Sequence, residues 1–438
     1  MTFETVTELV APTPAEVAAP KASPDAAAEV HRRLEESWAT SPDAPVSTGL
    51  RGLDAVLGGG LRRGELIALA GSAKTGKSSL AIQVAIEAAR AKALAIYATV
   101  EMPRAEVIAR AIAREMFLGA DAKGSSWAVS FGDVLWGKHV AAETYTSEHM
   151  GAEVLERYRA EVLERYLRAS EALRRDVYPR LVVHQLAPGA TVASVREVLR
   201  RERAALGYDG LAVLVVDPLQ RLFAADTGAR TGKVLASINA SEIERVGAVA
   251  QDLKVLCDDD EERVAVVFTS DTTKAAVMGE AQGDGLELRG SYQLAHWATV
   301  IATFRAHEDP AKLALRTEKL GDADLDAEAI RASAPSAMME RKDADKLGRR
   351  YAAIHVAAAR RGPARSFACG FVPGAGLLVQ AEPDDASDKP KTSKPPKPKT
   401  SKPKAPTIGV TLSAVDSKRV ADALIANAAP APVEGEEG

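Results

Sequence analysis

Short apolar runs separated by helical stretches fill the chain from Ser47 to about Gln380. Six of these runs are nearly continuous, and they are ELIALA, ALAIYATV, RLVVHQL, LAVLVVD, VAVVFTS and TVIATF. Strands without polar alternation are buried on both faces, which is typical of a parallel sheet whose connections are helices. The pattern therefore predicts an α/β fold over residues 46–380, with a mostly parallel sheet and helices on both faces.

Two polar inserts interrupt this pattern, at about residues 120–178 and 306–350. The first contains AEVLERYR followed directly by AEVLERYL, a near-duplication that predicts a charged, exposed helix. The second is rich in charge and ends in MMERKDADKLGRR. We expect both inserts to be solvated excursions from the domain and not functional sites.

The N-terminal tail, residues 1–45, is rich in Ala, Pro, Thr and Glu and carries little that could form a core. Within it Val30, Leu34 and Trp38 recur every four residues, which predicts a short amphipathic helix. Two interpretations stay open. The helix is either transient, or it docks on another surface such as a neighbouring subunit.

The C-terminal tail divides into a linker and a short helix. Residues 381–406 form a Lys/Pro-rich segment that we expect to be extended and disordered. It is either a plain linker or a non-specific contact for nucleic acid or another acidic surface. Residues 407–438 contain a small amphipathic helix of the kind that docks on a protein partner.

Composition restricts the partners and the cellular compartment that we expect for the protein. The 56 basic and 60 acidic side chains give a net charge of −4, so contact with nucleic acid must come from a local patch. The two cysteines, Cys257 and Cys369, have no metal-site or disulfide-framework spacing, which favours a reducing cytoplasm. No signal peptide and no apolar run of about 20 residues is present, so we expect a cytoplasmic protein without a membrane partner.

A phosphate-binding loop lies between ELIALA and the helical stretch SSLAIQVAIEAARA. The loop GSAKTGKS fits the pattern GxxxxGK[ST]. Glycines let backbone amides turn inward, and the helix N-terminus that follows adds about half a positive charge. Lys77 would neutralise the β- and γ-phosphates, while the Ser78 hydroxyl would reach Mg²⁺. The predicted ligands are a nucleoside triphosphate and Mg²⁺, and the predicted binding residues are Gly71, Ser72, Ala73, Lys74, Thr75, Gly76, Lys77, Ser78 and Ser79. The alternative is an ordinary Gly-rich turn between a strand and a helix.

Two acidic residues follow predicted strands. LAVLVVD delivers Asp217 to the carboxyl edge of the sheet, where ligands bind in such folds and where a carboxylate can hold the water shell of Mg²⁺. ALAIYATV is followed by Glu101, which would reach the γ-phosphate side and activate the attacking water. From spacing alone, Glu101 could equally be a capping acid ahead of the helix that starts near MPRAEV.

Taken together, these motifs resemble the DnaB-type replicative helicases of the RecA-like P-loop ATPase class. The resemblance covers roughly residues 47–380. It is carried, in the order of the family, by STGLRGLDAVLGGGLRRGELIALAGSAKTGKSSLA, ATVEMPRAEV, GATVASVREVLRRERAALGYDGLAVLVVDPLQRL, VGAVAQDLKVLCDDDEERVAVVFTSDT, ELRGSYQLAHWATVIATFR and IHVAAARRGPARSFACGFVPGAGLL.

The resemblance implies roles for three residues. Glu101 corresponds to the catalytic glutamate and Asp217 to the magnesium-side aspartate. Arg360, in AARRGP, falls where the family has an arginine finger that reaches the ATP of a neighbouring subunit. The alternative for Arg360 is a surface arginine, since Arg361 beside it could substitute. The implied assembly is a homo-oligomeric ring, most simply a hexamer.

Single-stranded DNA is the implied partner, held by loops that line the pore of the ring. The corresponding stretches carry Arg230 and Lys233 in one loop, and Lys274 and Arg289 in another. No aromatic residues interleave, so stacking on bases is not expected. Ordinary surface loops are the alternative.

The chain also departs from the family. Ala358 stands where a lysine usually precedes the finger, and Asp271 stands where a nucleotide-sensing glutamine is usual. The N-terminal helical domain of the family has no counterpart in residues 1–45. These departures put efficient hydrolysis and processive unwinding in question.

The sequence therefore predicts an ATP-hydrolysing ring ATPase that acts as a DNA helicase or single-stranded DNA translocase. A helicase of plasmid or phage type, without a primase-binding domain, is one version of it. The rival is a regulatory ATPase switch of the KaiC or RadA kind that does not unwind DNA.

Overall fold

The computed structural model describes seven segments of the chain, which are residues 44–120, 127–137, 152–224, 242–271, 292–318, 325–359 and 365–381. The predicted tail helices and the Lys/Pro-rich segment lie outside the described residues. One sheet holds nine strands, which are β1 Leu66–Gly71, β2 Leu94–Thr99, β3 Leu181–Gln185, β4 Ala212–Asp217, β5 Val264–Asp271, β6 Val300–His307, β7 Arg350–Ala359, β8 Arg365–Val372 and β9 Leu377–Val379.

Helices connect these strands. Numbered over the described segments, they are α1 Arg51–Val56, α2 Lys77–Arg90, α3 Arg104–Leu118, α4 Phe131–Leu135, α5 Ala152–Asp176, α6 Val192–Leu206, α7 Glu242–Asp258, α8 Tyr292–Trp297, α9 Pro310–Glu318, α10 Ala327–Ala332, α11 Ser336–Met339 and α12 Lys342–Lys346. Two 3₁₀-helices, Leu219–Arg221 and Pro373–Ala375, complete the set. Within the described segments, no helix is long and apolar enough to cross a membrane.

The strand order is β3-β2-β4-β5-β1-β6-β7-β8-β9. The first six strands pair in parallel, and they contain the six apolar runs of the sequence. The remaining pairs, from β6 to β9, are antiparallel. The predicted mostly parallel sheet is therefore confirmed, and an antiparallel extension adds to it at one edge.

Each strand buries its two faces in different hydrophobic clusters. Alternate residues such as Leu69 and Val215 pack with α2 and α3, whereas their neighbours such as Ala68 and Leu214 pack with α6 and α7. Burying one large aliphatic side chain contributes about 1.5–3 kcal/mol, so a sheet covered on both faces forms the main core. The predicted helices on both faces are confirmed.

Local signals fix the ends of the helices that cover the sheet. In α6 the Thr191 hydroxyl accepts from the amide of Ser194 while the Ser194 hydroxyl accepts from the amide of Thr191, which is a capping box. The same helix ends at Gly207, whose φ of 55° is left-handed. These caps satisfy amide and carbonyl groups that a helix leaves without partners at its ends.

The two polar inserts pack against the domain more closely than their charge predicts. The first forms the helix α5, as expected, but α5 buries Val162 and Leu173 in the main core. The second forms α9 to α12 and buries Leu313 and Ile330 against β7 and β8. The expectation of solvated excursions was wrong for these faces. Isolated apolar residues on short amphipathic helices are enough to cover the antiparallel strands, although the inserts are rich in charge.

A clasp joins the beginning and the end of the described core. The guanidinium of Arg51 donates to the carbonyl of Ala381 at 2.5 Å, and the amide of Gly52 donates to the side-chain oxygen of Gln380 at 2.6 Å. The Gln380 side chain in turn donates to the carbonyl of Ala368 in β8 at 3.2 Å. Residues 51–52 and 380–381 are therefore held at one place on the domain.

We expect Gly60→Ala to destabilise the fold by about 2–4 kcal/mol. Gly60 has a φ of 132°, and a Cβ there would lie 2.4 Å from the carbonyl oxygen of Val46. That carbonyl accepts from the amide of Leu61 and cannot move without breaking the bridge between the two residues. Urea unfolding of the purified variant measures the loss.

Gly58→Ala is the matched control for this prediction. Gly58 also has a positive φ, 69°, but a Cβ there meets nothing within 4 Å. We expect a loss of about 1–2 kcal/mol from backbone strain alone. Equal losses in the two variants would show that the contact with Val46 does not restrict position 60.

Candidate functional site

The loop between β1 and α2 brings backbone amides and a lysine together at the carboxyl edge of the sheet. β1 ends at Gly71 and α2 begins at Lys77. Gly76, directly before the helix, has a φ of 106°, a conformation that a side chain would strain. No side chain caps this end of α2, so its first amides keep the positive end of the helix dipole open to a ligand. This geometry suits an anion.

The Lys77 ammonium lies over the loop. It donates to the carbonyl oxygens of Gly71 at 2.6 Å and Ser72 at 2.9 Å, and it forms an ion pair with Asp271 at 3.1 Å. The Thr75 hydroxyl also donates to the Ser72 carbonyl, at 2.8 Å, which holds the loop closed on itself. The Lys77 side chain is only 10% exposed, so solvent screens its positive charge weakly.

Asp217 ends β4, two strands away from β1, and both of its carboxylate oxygens are hydrogen-bonded. The hydroxyls of Tyr97 in β2 and Thr269 in β5 donate to them. Burial and the neighbouring carboxylate raise the pKa of Tyr97 well above its usual value, so the phenol stays protonated and remains a donor. These two hydroxyls fix the orientation of Asp217 from the strands on either side.

Glu101 lies two residues beyond the end of β2, at the same edge of the sheet. Its carboxylate accepts from the guanidinium of Arg221 at 2.7 Å, and both side chains are more than half exposed. The helix that follows, α3, has Pro103 as its N-cap and no side-chain cap. The helix-capping alternative for Glu101 is therefore not what the structure shows.

A cavity of about 400 Å³ opens beside the loop. The Arg110 guanidinium lies 3.8 Å from the centre of the Phe131 ring and is held there by Glu106, at 2.7 and 3.1 Å. Together these residues offer a flat, partly charged wall next to the loop between β1 and α2. The lining residues are Lys74, Gly76, Lys77, Ser78, Ser79, Arg110, Phe131, Arg350, Phe371 and Pro373.

The structure thus brings the loop, Glu101 and Asp217 to one edge of the sheet. The other predicted site residues, Arg230, Lys233, Lys274, Arg289 and Arg360, lie outside the described residues. Sequence reasoning also missed several side chains. Hydroxyls inside apolar runs were a signal for Tyr97 and Thr269. Arg221 had no such signal, because its partner Glu101 lies 120 positions away in the sequence. Arg110 and Phe131 were missed because their stacking depends on how the first insert packs against α3.

The sheet order, the covering helices and the loop at the end of β1 give the described residues the fold of RecA-like ATPase domains. Residues 45–124 match the model of the DnaB-like helicase C-terminal domain family, and this segment contains the loop and Glu101. The resemblance seen in the sequence is confirmed. No curated protein was matched by sequence.

Solved structures share the fold at low sequence identity. One is the structure of a DnaB-like replicative helicase and its interactions with primase, with 17% identity, a TM-score of 0.56, and coverage of 83% of this chain and 68% of that chain. Another is the structure of an ATPase domain, with 16% identity, a TM-score of 0.56, and coverage of 83% of this chain and 100% of that chain. At this identity the likeness shows the fold.

Proposed function

We propose that the protein binds ATP with Mg²⁺ and hydrolyses it as a ring-forming ATPase that moves along, or remodels, single-stranded DNA. The observation that carries this proposal is the position of Lys77. Its ammonium lies at the uncapped N-terminus of α2, over the loop that the family match covers. A buried carboxylate, Asp217, ends a strand at the same edge of the sheet.

The residues at this edge fit the triphosphate and its metal. A Cβ at Gly76 would lie 3.3 Å from the Phe371 ring, so the loop has room for backbone and ligand where a side chain would crowd it. Ser78 and Asp217 offer the oxygen ligands that Mg²⁺ prefers, and bound Mg²⁺ would neutralise charge on the phosphates. Lys77 leaves its loop carbonyls to bind the β- and γ-phosphates, and Glu101 orients the attacking water.

The cavity beside the loop is our proposed subsite for the base and ribose. Phe131, with Arg110 stacked on it at 3.8 Å, forms one wall, and Phe371 forms another. A purine ring buries apolar area against such aromatic faces, and it stacks favourably on them. The loop, with Lys77 and Ser78, would then hold the phosphates.

Strand geometry supports assembly through Arg360. β7 ends at Ala359, which pairs with Val300, and Val300 pairs with Ile67 in β1. Ile67 lies four residues before Gly71, or about 13 Å along the strand from the phosphate-binding loop. Ala359, the last described residue of β7, is thus remote from the loop of its own chain, and we propose that Arg360 completes the site of a neighbouring copy.

Steady-state hydrolysis, measured with and without single-stranded DNA, tests the proposal. We expect several-fold stimulation by DNA, which is lost in Lys77→Ala. Mass photometry with and without ATP and Mg²⁺ tests the ring. A protein that remains monomeric while it hydrolyses ATP at full speed would contradict the proposal that a neighbouring copy supplies Arg360 to the site.

A regulatory switch is the second candidate function. The ion pair between Asp271 and Lys77 favours it, because a carboxylate that competes for the loop lysine slows entry of the triphosphate. The position that carries a lysine in the family is Ala358, which lies in β7 opposite Ile301. Turnover that is indifferent to DNA, together with partner-dependent oligomerisation, is the result that the switch predicts.

A further inference from the structure

The carboxylate of Asp271 lies at the end of β5, 3.1 Å from the ammonium of Lys77. We propose that Asp271 makes the site selective for nucleotide that carries a divalent cation over nucleotide without one. The inference rests on the proposed function and deepens it, because it assigns a specificity-determining role to a residue that departs from the family pattern.

Sheet register places Asp271 directly beside the phosphate-binding loop. β5 pairs in parallel with β1, and Asp271 is the Cα partner of Gly71, the residue at which β1 ends and the loop begins. The Asp271 side chain is 52% exposed, whereas that of Lys77 is 10% exposed. The carboxylate therefore lies where a solvent-borne ligand first meets the loop lysine.

Asp271 is also on the same side of the sheet as Asp217. Thr269 and Asp271 are two residues apart in β5, so their side chains leave the same face of the strand. The Thr269 hydroxyl donates to Asp217. This face is the one on which α2 packs, since Val215, Val267 and residues of α2 belong to one cluster. Two carboxylates therefore lie on the face of the sheet that α2 covers.

The charge of Asp271 acts differently on nucleotide with a divalent cation and on nucleotide without one. When a triphosphate binds the ammonium of Lys77, the Asp271 carboxylate loses its ion pair and lies next to the negatively charged phosphates. These like charges repel unless a positive charge lies between them. Mg²⁺ is held in proteins by one or two carboxylates together with phosphate oxygens, so it would offset the repulsion between the Asp271 carboxylate and the phosphates.

Phosphate oxygens would complete the coordination of the cation. The ligands that we propose from this chain are the carboxylates of Asp217 and Asp271 and the hydroxyl of Ser78. Mg²⁺ in proteins is typically bound by one or two carboxylates together with substrate phosphates. The proposed site therefore favours the metal–nucleotide complex over nucleotide alone.

Equilibrium binding of a fluorescent ATP analogue tests the inference, measured once with excess Mg²⁺ and once with EDTA. For each variant the quantity compared is the ratio of Kd in EDTA to Kd in Mg²⁺. We expect Asp271→Asn to lower this ratio about tenfold, mainly by tightening metal-free binding, and a tenfold change corresponds to about 1.4 kcal/mol. Asp271→Gln, which is also neutral, should give the same direction.

Asp260→Asn is the matched control. Asp260 is 86% exposed and pairs with Arg63 at 3.4 Å, ahead of the start of β5. It removes the same charge from the chain at a place remote from the loop, and its ratio should equal that of the unmodified protein.

Three results have distinct meanings. Tighter binding by Asp271→Asn to the same extent with and without Mg²⁺ would show that Asp271 merely restrains Lys77, and the selectivity would be refuted. An unchanged ratio with unchanged affinities would refute it as well. Absence of any affinity in the unmodified protein, with Mg²⁺ or with EDTA, would instead overturn the proposed function.

Discussion

Lys77→Ala should reduce nucleotide affinity by about 100-fold, equivalent to about 2.7 kcal/mol. The ammonium is the side-chain cation at the mouth of the loop, and it is nearly buried, so solvent screens it poorly. Alanine removes the lysine charge and leaves the backbone amides, the helix dipole and Mg²⁺ to hold the phosphates. Titration of a fluorescent ATP analogue into the purified variant with Mg²⁺ measures the loss, and DNA-stimulated hydrolysis should disappear with it.

The control for this variant is Lys312→Ala. Lys312 is exposed in α9, so the substitution removes one positive charge without touching the loop. Its affinity should match that of the unmodified protein. If Lys77→Ala binds the nucleotide within a few-fold of the unmodified protein, the loop is not the phosphate site.

Glu101→Gln should lower the rate of hydrolysis by about 10²–10⁴-fold while leaving nucleotide affinity within about twofold. Glutamine keeps the size of the side chain and can still meet Arg221, but it cannot accept a proton from the attacking water. Comparison of single-turnover hydrolysis with equilibrium binding separates the two effects. This split distinguishes a general base from a residue that only holds the loop region in place.

Glu156→Gln, an exposed position on α5, is the control for loss of a carboxylate. It should leave both the rate and the affinity unchanged. Hydrolysis by Glu101→Gln at a third or more of the normal rate would remove Glu101 as the base. Loss of affinity together with rate would point to a structural role for the pair with Arg221.

The parallel part of the sheet could be predicted because burial on both faces leaves an unbroken apolar run in the sequence. β7 was less evident, since its sequence RYAAIHVAAA mixes small and polar residues. Pairing with β6 and β8, and not its own composition, makes this segment a strand. The packing of the second insert was missed for a related reason, because Leu313 and Ile330 are isolated apolar residues in a charged context.

In the candidate site too, some residues could be predicted from the sequence and others could not. The loop, Asp217 and Glu101 were located from the sequence, because each follows a strand and has a chemistry that is local to the motif. The hydroxyl of Tyr97 was not, since its bond to Asp217 joins residues 120 positions apart. The ion pair of Lys77 with Asp271 spans 194 positions. Such partners depend on strand order, which a single sequence does not specify.

The clasp between residues 51–52 and 380–381 brings two distant parts of the chain to one place on the domain. This proximity makes the domain a candidate for circular permutation, in which a peptide joins residue 381 to the segment that precedes residue 51. Such a permuted protein would form the same sheet with its strands connected in a different order along the chain.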